Sequence, residues 1–227
     1  MTLISPKELA LYIDHTILKP DASAKDIEKL CAEAREFGFF SVCVNGSRVE
    51  QARHLLEGTD IKVACVVGFP LGAMEADAKR YETEVAIDNG AQEIDVVLNI
   101  GRLKDGDDHY VLRELRDVAE GADERTVKVI LETCLLTRDE KIRACQLMLD
   151  SGAHFVKTST GFSTGGATLD DVKLLRETVG PTFGVKASGG IRDTAAALAM
   201  IEAGATRLGT SAGLAIVKGM ATSGGGY

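Results

Sequence analysis

Short β-branched runs alternate with amphipathic stretches from one end of the chain to the other. The runs Tyr12 to Thr16, Phe39 to Val44, Lys62 to Val67, Glu93 to Leu98, Val127 to Glu132, His154 to Thr158, Phe183 to Ala187 and Thr206 to Gly209 read as eight strands. Between them lie helical patterns such as 24–37, where Ile27, Leu30, Cys31, Ala34 and Phe37 recur at helical spacing. Ser5-Pro6-Lys7-Glu8 and Thr137-Arg138-Asp139-Glu140 carry the cap and returning glutamate of helix starts. Gly38, Gly90, Gly152 and Gly204 mark helix ends. Asn89-Gly90-Ala91, Ser151-Gly152-Ala153 and Ala203-Gly204-Ala205 each repeat one phrase before a strand, so the unit that recurs is βα.

Eight such units with no polar linker predict an α/β fold, a closed (β/α)8 TIM barrel, as a single domain over residues 1–219. The alternative is an open doubly wound sheet, with ligands at a strand-order switch point. Polar residues end nearly all eight runs, which favours the barrel, since an open sheet needs them at one crevice. Residues 220–227, MATSGGGY, form a glycine-rich tail that is flexible by composition and ends in Tyr227.

Composition narrows the function classes. The 227 residues are 45% hydrophobic and contain no apolar run long enough to span a bilayer, so a sizeable core and no membrane partner are expected. A net charge of -8 argues against nucleic acid. The opening MTLISPKELALYIDH lacks the regions of a secretory signal, and the five cysteines are scattered with no C-x-x-C pair. Reduced thiols and a cytoplasmic location are expected. The four histidines show no metal-ligand spacing, and no nucleotide or zincin motif is present, so no metal and no cofactor is expected.

Barrel chemistry sits at the C-terminal strand ends. Those ends present Asp14, Cys43, Asn45, Gly68, Phe69, Asp95, Asn99, Glu132, Lys157, Lys186 and Gly209 to Ser211. Alternation puts Asp95 with Val97, and Phe155 with Lys157, on one face, while Ile94, Val96, Val156 and Val185 face the other way. Lys157 and Lys186 each close an apolar run before a glycine-rich turn, where an ammonium must lose water or give up its proton. An ordinary lysine is only about 0.04% neutral at pH 7. A second cation at ~6 Å, with an effective dielectric near ~20, contributes about 2.8 kcal/mol, or about two pKa units, so burial must supply the rest. That combination makes an imine-forming lysine. The plain alternative is a buried ion network with Asp95 or Glu132. Which lysine is the nucleophile is left open by spacing.

Asp95 is the best-placed carboxylate to move protons beside the lysines, Asp14 is a candidate orienter, and Glu132 shares that ambiguity. The turns after Lys157 (Thr158, Ser159, Thr160, Gly161), after Lys186 (Ser188, Gly189, Gly190) and at Gly209-Thr210-Ser211 offer backbone N–H groups and hydroxyls. Loops after the last barrel strands hold phosphate in this fold, so a phosphate is expected there.

The segments YIDHTILKP, VCVNGSRV, VVGFPLGA, EIDVVLNIG, KVILET, FVKTSTGF, GVKASGGIR and RLGTSAG, spanning Tyr12 to Gly213, are together similar to the deoxyribose-phosphate aldolase family of metal-free class I aldolases. The resemblance implies that Lys157 forms the imine, Lys186 lowers its pKa, and Asp95 relays protons. It implies phosphate contacts from Thr160, Gly161, Gly189, Gly190 and Ser211, and a proton-moving role for Tyr227. Ala212 stands where some relatives carry a second serine, leaving its N–H as the expected contact. The implied reaction cleaves 2-deoxyribose 5-phosphate into acetaldehyde and glyceraldehyde 3-phosphate, in deoxyribonucleotide catabolism. Small phosphorylated sugars and aldehydes are then the partners, and a homodimer or higher homo-oligomer is expected. Two competing readings remain: an imine-forming barrel aldolase for another sugar phosphate, and a silent sugar-phosphate sensor.

Overall fold

The computed structural model describes residues 4–219. Among these residues, β1 (Ile13–Thr16), β2 (Ser41–Val44), β3 (Lys62–Val67), β4 (Glu93–Val97), β5 (Thr126–Ile130), β6 (Phe155–Lys157), β7 (Gly184–Ser188) and β8 (Arg207–Thr210) pair in parallel in sequence order. β8 returns to β1, so the sheet closes into a barrel. The α-helices, in chain order, are α1 (Pro6–Ala10), α2 (Ala24–Phe37), α3 (Val49–Leu55), α4 (Ala76–Asp88), α5 (Ile100–Lys104), α6 (Asp108–Gly121), α7 (Arg138–Leu149), α8 (Leu169–Val179), α9 (Thr194–Glu202) and α10 (Gly213–Lys218). The open-sheet alternative is thereby removed.

Local sequence accounts for the element ends. Ser5 and Thr137 each accept from the backbone N–H three residues on, and Glu8 and Glu140 return the contact, completing two capping boxes. Ser23 and Asp26 make a third at the start of α2, and Gly38 ends that helix at φ 67°. β5 is shorter than its apolar run because the chain turns at Glu132, whose φ is 56°, into a 3-10 turn over Thr133–Leu135. Glu132 therefore lies beyond the strand. Asn99 also serves a local purpose, accepting from the Arg102 N–H to cap α5.

The outward strand positions Ile94, Val96, Val156 and Val185 are fully buried with the inward faces of the helices in one continuous apolar layer. Each such side chain contributes about 1.5–3 kcal/mol by leaving water. The inward face differs: its apolar part is a small cluster of Leu18, Cys43, Ala64 and Val66 with Phe69 against it. Most of the lumen is charged, with Asp14, Glu93, Asp95, Lys128, Lys157, Lys186 and Arg207 all buried. Parallel register sets Asp95 beside Lys128, Lys157 beside Lys186, and Lys186 beside Arg207.

Candidate active site

β4 projects Asp95 into the lumen, where its two oxygens divide three lysines. Oδ1 accepts from Lys128 Nζ at 2.8 Å. Oδ2 accepts from Lys157 Nζ at 2.8 Å and from Lys186 Nζ at 2.7 Å. The two ammonium nitrogens are thus no farther apart than those two lengths combined. Lys186 also donates to Asp14 Oδ2. Asp14 Oδ1 accepts in turn from Ser41 Oγ at 2.6 Å and from Arg207 Nη1 at 2.9 Å. Arg207 reaches Glu93 Oε2 at 3.3 Å, and Glu93 reaches Lys128 Nζ at 2.6 Å. The guanidinium lies 3.4 Å from the centroid of the Phe40 ring, which fixes its plane from one side.

These contacts split the two lysines. Burial pushes Lys157 below the ordinary lysine value; Asp95 opposes that shift and the neighbouring Lys186 adds to it. Burial acts on Lys186 in the same sense, but Asp14 and Asp95 together overcome it and hold its pKa well above the ordinary value. The difference among the described residues is a private carboxylate: Lys186 has Asp14, and Lys157 shares only Asp95. Burial leads at Lys157, with the second cation in support, the reverse of the weighting in the charge arithmetic above. Asp95 itself is drawn well below the usual carboxylate range, because Lys128, Lys157 and Lys186 outweigh its burial. Asp14 is drawn down likewise by Lys186 and Arg207 against its burial.

The loops above the lysines are stitched together. Ser188 N–H donates to Thr158 Oγ1 at 3.1 Å, and Thr158 Oγ1 donates to Ser188 O at 3.1 Å. Ser188 Oγ donates to Ser159 O at 2.5 Å. Gly189 stands at φ 87°, and a Cβ there would lie 3.0 Å from the Gly166 Cα, so only glycine fits between these turns. Gly190 has open space where a side chain would project, and Ser211 is exposed. Thr160 sits lower: it is buried, its N–H and hydroxyl both turn to Glu132, and its Oγ1 accepts from Phe162 N–H at 3.0 Å. Glu132 thus orders the loop after β6 and does not contact the lysines. The Ala212 N–H, expected to be open, donates to Thr210 Oγ1 at 2.9 Å, because a threonine hydroxyl two residues back can accept it within a local turn. Tyr227 lies outside the described residues.

Lys128, Glu93 and Arg207 escaped the sequence reading, which examined strand ends. Their signal was parity: Glu93 lies two residues before Asp95, and Lys128 and Arg207 hold the inward positions of their strands. Among the described residues no group of His, Cys, Asp and Glu side chains suited to a metal ion is present. No helix among them is long and apolar enough to cross a membrane.

A (β/α)8 barrel with three buried lysines on one carboxylate has the build of an enzyme whose chemistry sits inside the strand ends. Residues 8–219 match the family model described as DeoC/LacD family aldolase. A deoxyribose-phosphate aldolase of Alkaliphilus oremlandii is 61% identical over 220 residues, covering 96% of this chain and 99% of that one. One of Brevibacillus brevis is 58% identical, covering 95% and 98%. The tetrameric deoxyribose phosphate aldolase structure from Aeropyrum pernix superposes with a TM-score of 0.89 at 34% identity, over 95% of this chain and 92% of that one. The chain belongs to the DeoC/LacD aldolase family, and it is an enzyme of the lyase class.

Proposed function

We propose that this aldolase cleaves 2-deoxyribose 5-phosphate reversibly into acetaldehyde and glyceraldehyde 3-phosphate through an imine on Lys157. The observation that carries the reading is the unequal pairing of the lysines among the described residues: Lys186 holds Asp14 as well as Asp95, while Lys157 has only a share of Asp95. A buried amine without its own counter-charge is the one that gives up its proton. The spacing left this choice open, and the pairing favours Lys157.

In the cleavage direction, the neutral Lys157 amine adds to the C1 aldehyde. The carbinolamine loses water, and the resulting iminium accepts the C2–C3 bonding electrons as C3 becomes a carbonyl. Asp95, acting through a water, takes the C3 hydroxyl proton. The enamine is protonated at C2, and water releases acetaldehyde and the free amine. Lys186 remains an ammonium throughout, so its charge opposes a second proton on Lys157. Gly161, Gly189, Gly190 and Ser211 hold the 5-phosphate through backbone N–H groups and the serine hydroxyl. Asp14 orients Lys186, and Glu132 orients Thr160 and the turn after it. The substrate assignment is supported by the relatives' names, and a role in deoxyribonucleotide breakdown follows from that substrate. A homo-oligomer agrees with the tetrameric relative, and cytoplasmic residence with the unpaired cysteines.

The test is product analysis. Equal amounts of acetaldehyde and glyceraldehyde 3-phosphate should form from 2-deoxyribose 5-phosphate, with or without a chelator. Binding of the sugar phosphate without either product would support a sensor instead and overturn the reading.

A further inference from the structure

Six buried side chains form a closed ring in which cations and carboxylates alternate. Arg207 meets Asp14, Asp14 meets Lys186, Lys186 meets Asp95, Asp95 meets Lys128, Lys128 meets Glu93, and Glu93 meets Arg207. Three positive and three negative groups balance within it. Among the described residues, Lys157 stands outside the ring and is hydrogen-bonded to it at Asp95 Oδ2 alone. Glu93 and Arg207 are its far side: they open β4 and β8, at the N-terminal end of the barrel, and the described contacts of neither include Lys157.

We propose that Glu93 and Arg207 are positioning residues that set the proton occupancy of the Lys157 amine from the opposite end of the barrel, by closing a charge-balanced ring that leaves Lys157 no carboxylate of its own. This rests on the reading of Lys157 as the imine-forming lysine. The physical reason is that a low-dielectric lumen tolerates balanced charge far better than net charge. With the ring complete, an additional ammonium on Lys157 makes the cluster net positive. With Arg207 neutralised, the ring is net negative, and a proton on Lys157 restores balance. With Glu93 neutralised, the ring is already net positive, and the amine is held neutral more strongly. The groups facing Lys157 directly are Asp95 from β4, Lys186 from β7 and Cys43 from β2. Lys128 from β5 and Asp14 from β1 act through those carboxylate and ammonium partners, and Glu132, beyond β5, is turned to Thr160. Cys43 is a thiol pushed up to about 11, so it adds no charge near neutrality.

The experiment is the pH dependence of reductive capture of acetaldehyde on Lys157 by cyanoborohydride, read by peptide mass in the intact protein. Arg207→Met should move the half-maximal pH up by about one unit, and Glu93→Gln should move it down by about one. The double variant should return to the unsubstituted profile, and Arg207→Lys should keep it. Both single variants shifting in one direction, or a double variant displaced further than either single, would show that the pair only supports packing and would overturn the proposal. If Arg207→Met does not fold, Glu93→Gln alone decides it, because an upward or absent shift contradicts the ring account. Absence of any Lys157 adduct in the unsubstituted protein is a different result: it removes the imine reading itself.

Discussion

Replacing Lys186 by methionine removes the cation that shares Asp95 Oδ2 with Lys157 while keeping much of its volume. The two nitrogens reach one oxygen at 2.8 and 2.7 Å, so their separation has a firm upper bound. At ~5.5 Å and an effective dielectric of ~20, their repulsion is about 3 kcal/mol, equivalent to about two pH units on Lys157. At any pH below both values the neutral fraction should then fall by about a hundredfold. Asp14 keeps Arg207 and Ser41, and Asp95 keeps Lys128 and Lys157, so neither carboxylate is stranded. Loss of one buried ionic partner costs about 3–5 kcal/mol, which a domain stable by about 5–15 kcal/mol can absorb. The assay is kcat/KM for 2-deoxyribose 5-phosphate cleavage from about pH 5 to about pH 10, alongside acetaldehyde capture on Lys157. The acidic limb of both profiles should move up by about two units, with capture recovering at high pH. A limb that stays in place, in a variant shown to be folded, would refute the claim that Lys186 depresses Lys157.

Further expectations follow from other parts of the molecule. Gly209→Ala would put a methyl 3.0 Å from both Lys186 Cε and Ser188 Cβ, so it should displace the Lys186 chain, lower kcat and cost about 1–3 kcal/mol of stability; unchanged kcat would contradict the packing. Asp14 and Asp95 have depressed folded-state pKa values, so their stabilisation is complete above an unfolded value of ~3.9 and is lost as pH falls toward the lower folded values. Thermal unfolding should therefore show a steep acid limb below about pH 4 that is shallower in Asp14→Asn. Lys79 and Glu114 form a fully buried pair at 2.7 Å, and Lys79→Met alone should cost about 3–5 kcal/mol in denaturant unfolding, with much of it recovered in the Glu114→Gln double variant. A thiol reagent at about pH 8 should modify the exposed Cys134 in the native protein and the buried Cys31, Cys43, Cys65 and Cys145 only after unfolding.

The barrel was legible because strand and helix periods differ and each βα unit repeats the same punctuation. The 24–37 helix pattern coincides with α2, and the outward Ile94, Val96, Val156 and Val185 lie where their parity put them. Lys157, Lys186 and Asp95 were legible because a charge closing or interrupting an apolar strand stands out, and the structure brings them onto one carboxylate oxygen. Strand limits were less so: Glu132 belongs to an apolar run by composition, yet its left-handed turn takes it out of the sheet. The rest of the ring was hidden for a topological reason. Glu93, Lys128 and Arg207 balance one another only because β8 closes on β1 and places distant strands across one lumen. A linear sequence shows three isolated charges near strand starts, which is also how ordinary solvated ends look. The asymmetry between Lys157 and Lys186 was hidden likewise, since it depends on Asp14, 172 residues from Lys186 along the chain.

The central claim is that Lys157 is the amine that bonds the substrate carbon. Borohydride reduction in the presence of 2-deoxyribose 5-phosphate, followed by peptide mass analysis, tests it directly. The account predicts one reduced adduct, on Lys157, and none when substrate is left out. An adduct on Lys186 or Lys128 instead, or an active protein that forms none, would contradict it.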